Sequence, residues 1–431
     1  MLKRTEKLAI LGGEPIRSKP LPLYNTLDKK EKKAVNQIFD SGVLSGFAAQ
    51  TNDDFYGGKW VKSLESSLCE KFDSNHAIAV NSATSALHAA VAATGVGPGD
   101  EVIVTPYSMT ATPTAILYTG ALPIFADIEP DTYGLDPKSV EKNINKNTKG
   151  IIVVNLFGHP ARLPELQKIA KKNNLFLIED NAQAPGALID GKLTGTFGDA
   201  AIYSFNRHKI IQSGEGGAVT CNDQDLAMRI RLIRNHGEAL VDGFGIKDIT
   251  NILGLNYRIC NFEAAIADIQ VSKLDILNKK RIDLANFLTE KVSELDFLSP
   301  PLVKTNCTHT YYFFPMKYDA KSTGIPREIF TKAVEAEGFI LKAGYTRPLY
   351  MTPVYQQRKC FGKSGFPFNQ ANRKISYSKG ICPVVEKIEE EQLVWTTITY
   401  PPLKNKDMQE FVNACKKVVD QRKALLSHYS T

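Results

Sequence analysis

The chain has 431 residues, 43% hydrophobic and 23% charged, and its 53 Lys and Arg against 46 Asp and Glu leave a net charge of +7. Roughly 150 residues per domain makes two or three units, and a modest positive charge without a basic or aromatic-interleaved tract favours a small anionic ligand over nucleic acid. Seven scattered cysteines (Cys69, Cys221, Cys260, Cys307, Cys360, Cys382, Cys415), odd in number and without a C-x-x-C pair, argue against a disulfide framework or a zinc site.

The N-terminal "MLKRTEKLAIL" has no apolar run of signal-peptide length, so a cytoplasmic protein is expected. Residues 1–24 are read as an N-terminal segment packing across a domain. "GGKWVKSLESSLCEKFD" has helical apolar spacing. "HAIAVNSATSALHAAVAATGVGPGDEVIVT" reads as strand, turn, helix, Gly-Pro-Gly-Asp turn and strand. Residues 102–126 carry no charge and could hold a membrane span of about 20 residues. Pro106, Pro113, Gly120 and Pro123 divide them instead into strand, loop, short helix and strand, and no membrane association is expected.

Strands are predicted at "ALPIFADI", "KGIIVVNLF", "LFLIED" and "DAAIYSF", and helices at "DPKSVEKNI", where Asp136-Pro137 makes an N-cap and N1 pair, and "LPELQKIAKKNN". Apolar strands alternating with helices predict an α/β fold with a mostly parallel sheet covered on both faces. After a long helical stretch the pattern changes to the aromatic strand "HTYYFFPMKY", helices and Pro-rich loops. The expected division is a large α/β domain at 25–270 and a smaller α+β domain at 271–431.

Three strand ends carry candidate chemistry, since ligands of α/β sheets lie beyond the carboxyl ends of the strands. In "AVNSATSALHAA", Ser82, Ala83, Thr84 and Ser85 open a helix whose free N–H groups and dipole suit a phosphate, or form a plain N-cap. "LFLIEDNAQAPGA" ends a strand in Glu179-Asp180, without the histidines or second acidic cluster of a metal site. There a carboxylate suits a cationic ring nitrogen, and Gln183 a neighbouring ring substituent. In "YSFNRHKIIQSGEGGAVT", Ser204 ends a strand, and Lys209 follows Arg207 and His208 ahead of a Gly-Glu-Gly-Gly turn. A lysine becomes nucleophilic near neutral pH through burial or neighbouring positive charge. Each signal has a bland reading; their order and spacing compose a pyridoxal 5'-phosphate site.

With these motifs, and with "LAILGGEPIRSKPLP", "SGVLSG", "RNHGE" and "LGLNYRI", the chain resembles the DegT/DnrJ/EryC1/StrS sugar aminotransferases of the fold-type I pyridoxal-phosphate group over nearly its whole length. The resemblance implies that Lys209 forms the Schiff base, Asp180 pairs with the pyridine nitrogen and Gln183 contacts the cofactor ring. It places Ser204, Thr84 and Ser85, with Ala83, at the phosphate. Asn256 or Arg258 would reach the phosphate of a neighbouring subunit, implying a homodimer. Met109 stands where many members carry a ring-stacking aromatic, with Tyr107 close by, and Pro185 and Asn206 stand where many carry histidine. The intact lysine counts against the related sugar 3-dehydratases, which carry histidine there.

The expected reaction is transfer of an amino group from glutamate or glutamine to a nucleotide-linked keto sugar. A keto-cyclitol or aminoshikimate-type substrate is the nearer alternative, and a cofactor-binding regulator the remote one. Pro185, Asn206, His236, His309 and Tyr311, with the Ser45-Gly46 loop, are the substrate-side candidates.

Overall fold

A computed structural model describes residues 7–429. Seven strands form the main sheet: β1 (His76–Val80), β2 (Glu101–Val104), β3 (Leu122–Phe125), β4 (Thr148–Val154), β5 (Phe176–Asp180), β6 (Ala200–Ser204) and β7 (Gly217–Cys221). Their spatial order is β1-β7-β6-β5-β4-β2-β3. Every neighbouring pair is parallel except the two made by β7, which runs against both β1 and β6. β7 was not foreseen from the sequence: "GAVTC" is short and follows the Gly-rich turn directly.

Alternation along the strands distributes side chains to two faces. Ala77, Ala79, Ala201, Tyr203 and Ala218 bury in one cluster, whereas Ile78, Val80, Ile202 and Val219 bury in another. Because both faces are covered, the strands read as continuous apolar runs rather than alternating ones.

The helices of this half are α1 (Lys29–Ser41), α2 (Lys59–Phe72), α3 (Ala83–Ala93), α4 (Ala111–Tyr118), α5 (Pro137–Asn143), α6 (Leu163–Lys172), α7 (Gln224–Arg234) and α8 (Asn261–Val292). α2 and α8 cover the first face with Leu64, Leu68, Val271 and Leu274, and α3 and α7 the second with Leu87, Val91 and Ile230. Asp136 caps α5 by accepting from the Lys138 N–H at 3.1 Å, with Pro137 at N1. The uncharged stretch folds as β2, α4 and β3, and no helix among the described residues is long and apolar enough to cross a membrane.

A second sheet is antiparallel, in the order β8 (Leu298–Ser299), β9 (Phe314–Tyr318), β11 (Leu393–Thr396), β10 (Lys342–Ala343). It shares a core with α9 (Arg327–Ala336), α10 (Asn405–Asp420) and the C-terminal half of α8. The N-terminal segment lies against this part: Leu8 joins its core, and the Ala9 and Ile16 N–H groups donate to the Glu337 carboxylate at 2.8 and 3.0 Å.

Two features bear on the division expected at 270/271. α8 runs unbroken for 32 residues across that point. Residues 349–393 send Tyr350, Tyr355, Tyr377 and Val385 into the core of the main sheet. There Arg373 pairs with the buried Glu101 through two contacts of 2.8 Å, and Asp127 accepts from the Val384 and Val385 N–H groups.

Candidate active site

The ends of β1, β5 and β6 and the start of β7 meet at one edge of the main sheet. At the end of β5, alternation sends two acids to different tasks. Glu179 is buried and accepts from the backbone N–H groups of Gly195, Phe197 and Gly198 at 2.7–2.8 Å, pinning the loop ahead of β6. Asp180 accepts from the Ala182 N–H and the Thr112 hydroxyl, both at 3.1 Å. Burial raises its pKa, opposed by the Ala182 N–H, the Lys209 charge and Thr112. Gln183 is held at both ends of its amide: Oε1 accepts from the Phe157 N–H at 2.8 Å, and Nε2 donates to the Tyr345 hydroxyl at 3.0 Å.

Lys209 sits in the connection between β6 and β7, which is braced throughout. The Phe205 N–H donates to the Gly216 carbonyl, and the Ser213 N–H to the Phe205 carbonyl. Asn206 donates to both carboxylate oxygens of Glu215 at 3.0 Å and accepts from the His208 N–H at 3.2 Å. The lysine Nζ lies 4.6 Å from the centre of the Tyr312 ring. Loss of hydration pushes its pKa down to about 8, with the Asp180 charge pulling the other way. The Gly-rich turn brings β7 against α3, and a Cβ on Gly217 would fall 2.4 Å from the Ala83 nitrogen. Only glycine permits that approach.

At the start of α3 the Ser82 hydroxyl caps the helix by accepting from the Ser85 N–H at 3.1 Å. The Ser85 hydroxyl is buried and donates to Asn81 Oδ1 at 2.6 Å. Thr84 is exposed at the helix mouth. The cap therefore falls on Ser82, and Thr84 lines the cavity mouth beside it.

These elements enclose a cavity of about 310 Å³, at the small end of the range for small-molecule sites. Asp180, Gln183, Ser204 and Lys209 line it, as do Ala83, Thr84, Asn206 and Met109, the last 54% exposed. An amine with a lowered pKa and a buried carboxylate on one cavity, beside a helix N-terminus, suit a ligand with an aldehyde, a basic ring nitrogen and a phosphate.

Residues 26–396 match the family model of the DegT/DnrJ/EryC1/StrS aminotransferases. The chain belongs to this family. It is 33% identical over 330 residues to the GDP-perosamine synthase of Caulobacter vibrioides, covering 76% of this chain and 85% of that one. It is 31% identical to the L-glutamine:2-deoxy-scyllo-inosose aminotransferase of Streptomyces kanamyceticus, over 98% and 99% of the two chains. The fold matches DesI, solved in the presence of its TDP-sugar product, with a TM-score of 0.83 at 24% identity over 99% of this chain and 100% of that one. The protein is thus a transaminase of a sugar aminotransferase family, with the fold-type I architecture.

The remaining candidates lie elsewhere in this aminotransferase chain. Tyr107 is buried with its hydroxyl on Glu389 at 2.5 Å and does not line the cavity. Pro185 is buried, its carbonyl accepting from Asn278 at 2.9 Å. His309 and Tyr311 stack on each other at 4.0 Å with the rings 2° apart, and both are buried. His236 precedes a short 3-10 turn with a left-handed backbone (φ 51°), and the Ser45-Gly46 loop abuts Gly58. Asn256 and Arg258 bond to each other at 3.0 Å and stay outside the cavity of their own chain. Tyr312, Tyr345, Ser108 and Glu215 line it without having been singled out from the sequence.

The lowered pKa gives a direct test on cofactor-free protein. Labelling of Lys209 by an acylating amine reagent, followed by peptide mass analysis, is expected to be half-maximal near pH 8, where ordinary lysines, near 10.4, remain protonated. Because the Asp180 charge favours the ammonium form, Asp180→Asn shifts that midpoint lower. A midpoint above 10 in the native protein would contradict the environment described for this amine.

Proposed function

We propose that this transaminase binds pyridoxal 5'-phosphate in the 310 Å³ cavity and aminates a nucleotide-linked keto sugar at the expense of glutamate or glutamine. The observation that carries the reading is the convergence of the Lys209 amine, the Asp180 carboxylate and the start of α3 on one cavity. Lys209 Nζ would hold the cofactor covalently, with Asp180 at its ring nitrogen and Gln183 and Met109 beside the ring. Ser204, Thr84 and the free N–H groups at the start of α3 would take the phosphate, with Ser85 supporting the cap. When bound, the cofactor withdraws electrons from the substrate carbon that carries nitrogen.

The chain's own groups then do the rest. Asp180 keeps a proton on the ring nitrogen, and the Lys209 amine, once free, takes a proton from the donor carbon and returns one to the acceptor carbon. In the cofactor-free chain burial lowers this amine's pKa to about 8, toward the neutral form that taking up a proton needs. The braced loop fixes where that amine stands.

The name of the Caulobacter relative supports a nucleotide-linked acceptor, and that of the Streptomyces relative supports a cyclitol. The test charges the enzyme with amine from glutamate or glutamine, then offers nucleotide-linked 3-keto and 4-keto sugars and free keto-cyclitols. Return of the original absorbance with a nucleotide sugar is the expected result; efficient return with a cyclitol alone would defeat the acceptor assignment.

We also take the working unit to be a homodimer in the cytoplasm. All seven cysteines are free, which suits a reducing compartment. Near the end of α1, Phe39 is 68% exposed and packs on Phe262 at 5.0 Å, and Val43 and Leu44 are exposed beside it, an apolar patch of the kind subunits cover. Asn256 and Arg258 would then serve the partner's phosphate. Mixing Lys209→Ala protein with an Asn256→Ala/Arg258→Ala variant is expected to restore activity that neither shows alone. A fully active monomer in sedimentation would rule out the shared site.

A further inference from the structure

Glu389 is a partly buried carboxylate that the amino-transfer chemistry above does not use. It lies in a five-residue π-helical turn, Ile388–Gln392, just ahead of β11. Such turns are rare and recur at functional sites. Arg327 fixes this one by donating to the Glu389 carbonyl at 2.7 Å and to the Leu393 carbonyl at 3.3 Å, and makes its ion pair with Glu328 at 2.9 Å.

Among the described residues no cation lies within ion-pair distance of the Glu389 carboxylate, and two donors converge instead on its Oε2. The Tyr107 hydroxyl donates at 2.5 Å and the Tyr345 N–H at 2.7 Å. These are distances of charge-assisted bonds. Burial raises the Glu389 pKa, opposed by the Tyr107 hydroxyl, the Tyr345 N–H and the Arg327 charge. The close approach requires glycine at 344, where φ is 62° and a Cβ would fall 2.4 Å from Glu389 Oε1.

Tyr345 carries this anchorage into the Lys209 cavity. Its ring stands edge-on to those of Tyr107, Phe157 and Phe313, with centroids 5.0–5.8 Å apart and planes at 75–89°. Its hydroxyl accepts from Gln183 Nε2 at 3.0 Å, on the wall that also holds Asp180 and Lys209. A phenol that has accepted one bond keeps a proton to donate. Among the described residues Gln183 is the one partner of that hydroxyl, so its proton is left for an acceptor in the cavity. Tyr107, which does not line the cavity, reaches it through Glu389 and Tyr345.

We propose that Glu389 is a positioning residue for amino transfer: it holds the Tyr345 hydroxyl, and through it the Gln183 amide, at the ring of the cofactor bound beside Lys209. The proposal rests on the cofactor reading above. A carboxylate buried without a cation carries a desolvation penalty, and an apolar side chain would pack the same rings without it. What the carboxylate adds is direction, since two bonds on one oxygen fix where the Tyr345 main chain stands. Side chains that touch a reacting group need such support to keep their geometry.

The chain has two tryptophans, so Trp60→Phe makes Trp395 the sole fluorescent indole. Its N–H donates to the Gly344 carbonyl at 2.6 Å, and its emission therefore reports the turn that carries Tyr345, with or without cofactor. In that background Glu389→Ala is expected to shift the emission of cofactor-free protein, to weaken uptake of pyridoxal 5'-phosphate at least fivefold and to move the absorbance maximum of what is bound. Glu389→Gln, which keeps an acceptor for both donors, is expected to restore uptake to within twofold of the parent. Tyr345→Phe should reproduce the cofactor effects without the emission shift. Combined with Glu389→Ala it should add nothing, because the two act in series. If Glu389→Ala does not fold by circular dichroism, Tyr107→Phe, which removes one of the two donors, carries the test with an expected twofold loss or more and the same absorbance change. Wild-type uptake and absorbance in these variants, a lowered melting temperature without either effect, or additive losses in the double variant would overturn the assignment and leave the cofactor reading standing. A parent protein that takes up no cofactor would overturn both.

Discussion

Replacing Lys209 with alanine is expected to abolish amino transfer while leaving the protein folded and able to bind the cofactor. Among the described residues the amine is the only one lining the 310 Å³ cavity, so both proposed duties, covalent attachment and proton transfer, end with it. The proposed phosphate and ring contacts come from other residues and survive. Truncation also removes an amine whose lowered pKa records that its charged form is disfavoured there, so the fold should not suffer from loss of charge. The measurement is single-turnover transfer from glutamate, with mass analysis after borohydride reduction. Wild-type protein should retain the cofactor on the Lys209 peptide, and the variant should release it on denaturation. Full activity in the variant would end the assignment.

Asp180→Asn is expected to lower the rate by several orders of magnitude with little change in melting temperature. The side chain keeps its shape and can still accept from the Ala182 N–H and the Thr112 hydroxyl. What disappears is the negative charge that would hold a proton on the cofactor's ring nitrogen. Burial already raises the Asp180 pKa, so the charge is not a source of stability in the cofactor-free protein, and a neutral amide should be tolerated. Rates like those of wild type would reduce Asp180 to a cap at the end of β5.

Much of this site was legible because local rules and chemistry agreed. The β1–α3 turn, the Asp136-Pro137 start of α5, the acids ending β5 and the lysine before a Gly-rich turn each follow from short-range patterns, and Asp180, Gln183, Ser204 and Lys209 do meet at one cavity. Other residues depend on distant packing, which no local pattern reports. Tyr107 is close to Met109 in sequence, but its hydroxyl bonds Glu389, 282 positions away. In "HTYYFFPMKY" strand geometry starts only at Phe314, and Tyr311 has a positive φ of 50°. That break turns His309 and Tyr311 onto each other and presents Tyr312 to the lysine. Tyr345 reaches Gln183 across 162 positions, and only the folded chain reveals it.

The pairing of Glu101 with Arg373 across 272 positions also bears on how the chain is made. At translation rates of 5–20 residues per second, the main sheet waits roughly 15–60 s between the emergence of β2 and the arrival of its last packing partners. During that interval the apolar flank of β2 and β3 lies uncovered, and Glu101 lacks the cation that answers its charge. Nascent chains stalled before residue 349 are therefore expected to engage holding chaperones and to aggregate when released without them. Native-like solubility should begin only once the segment through residue 393 has cleared the ribosomal tunnel.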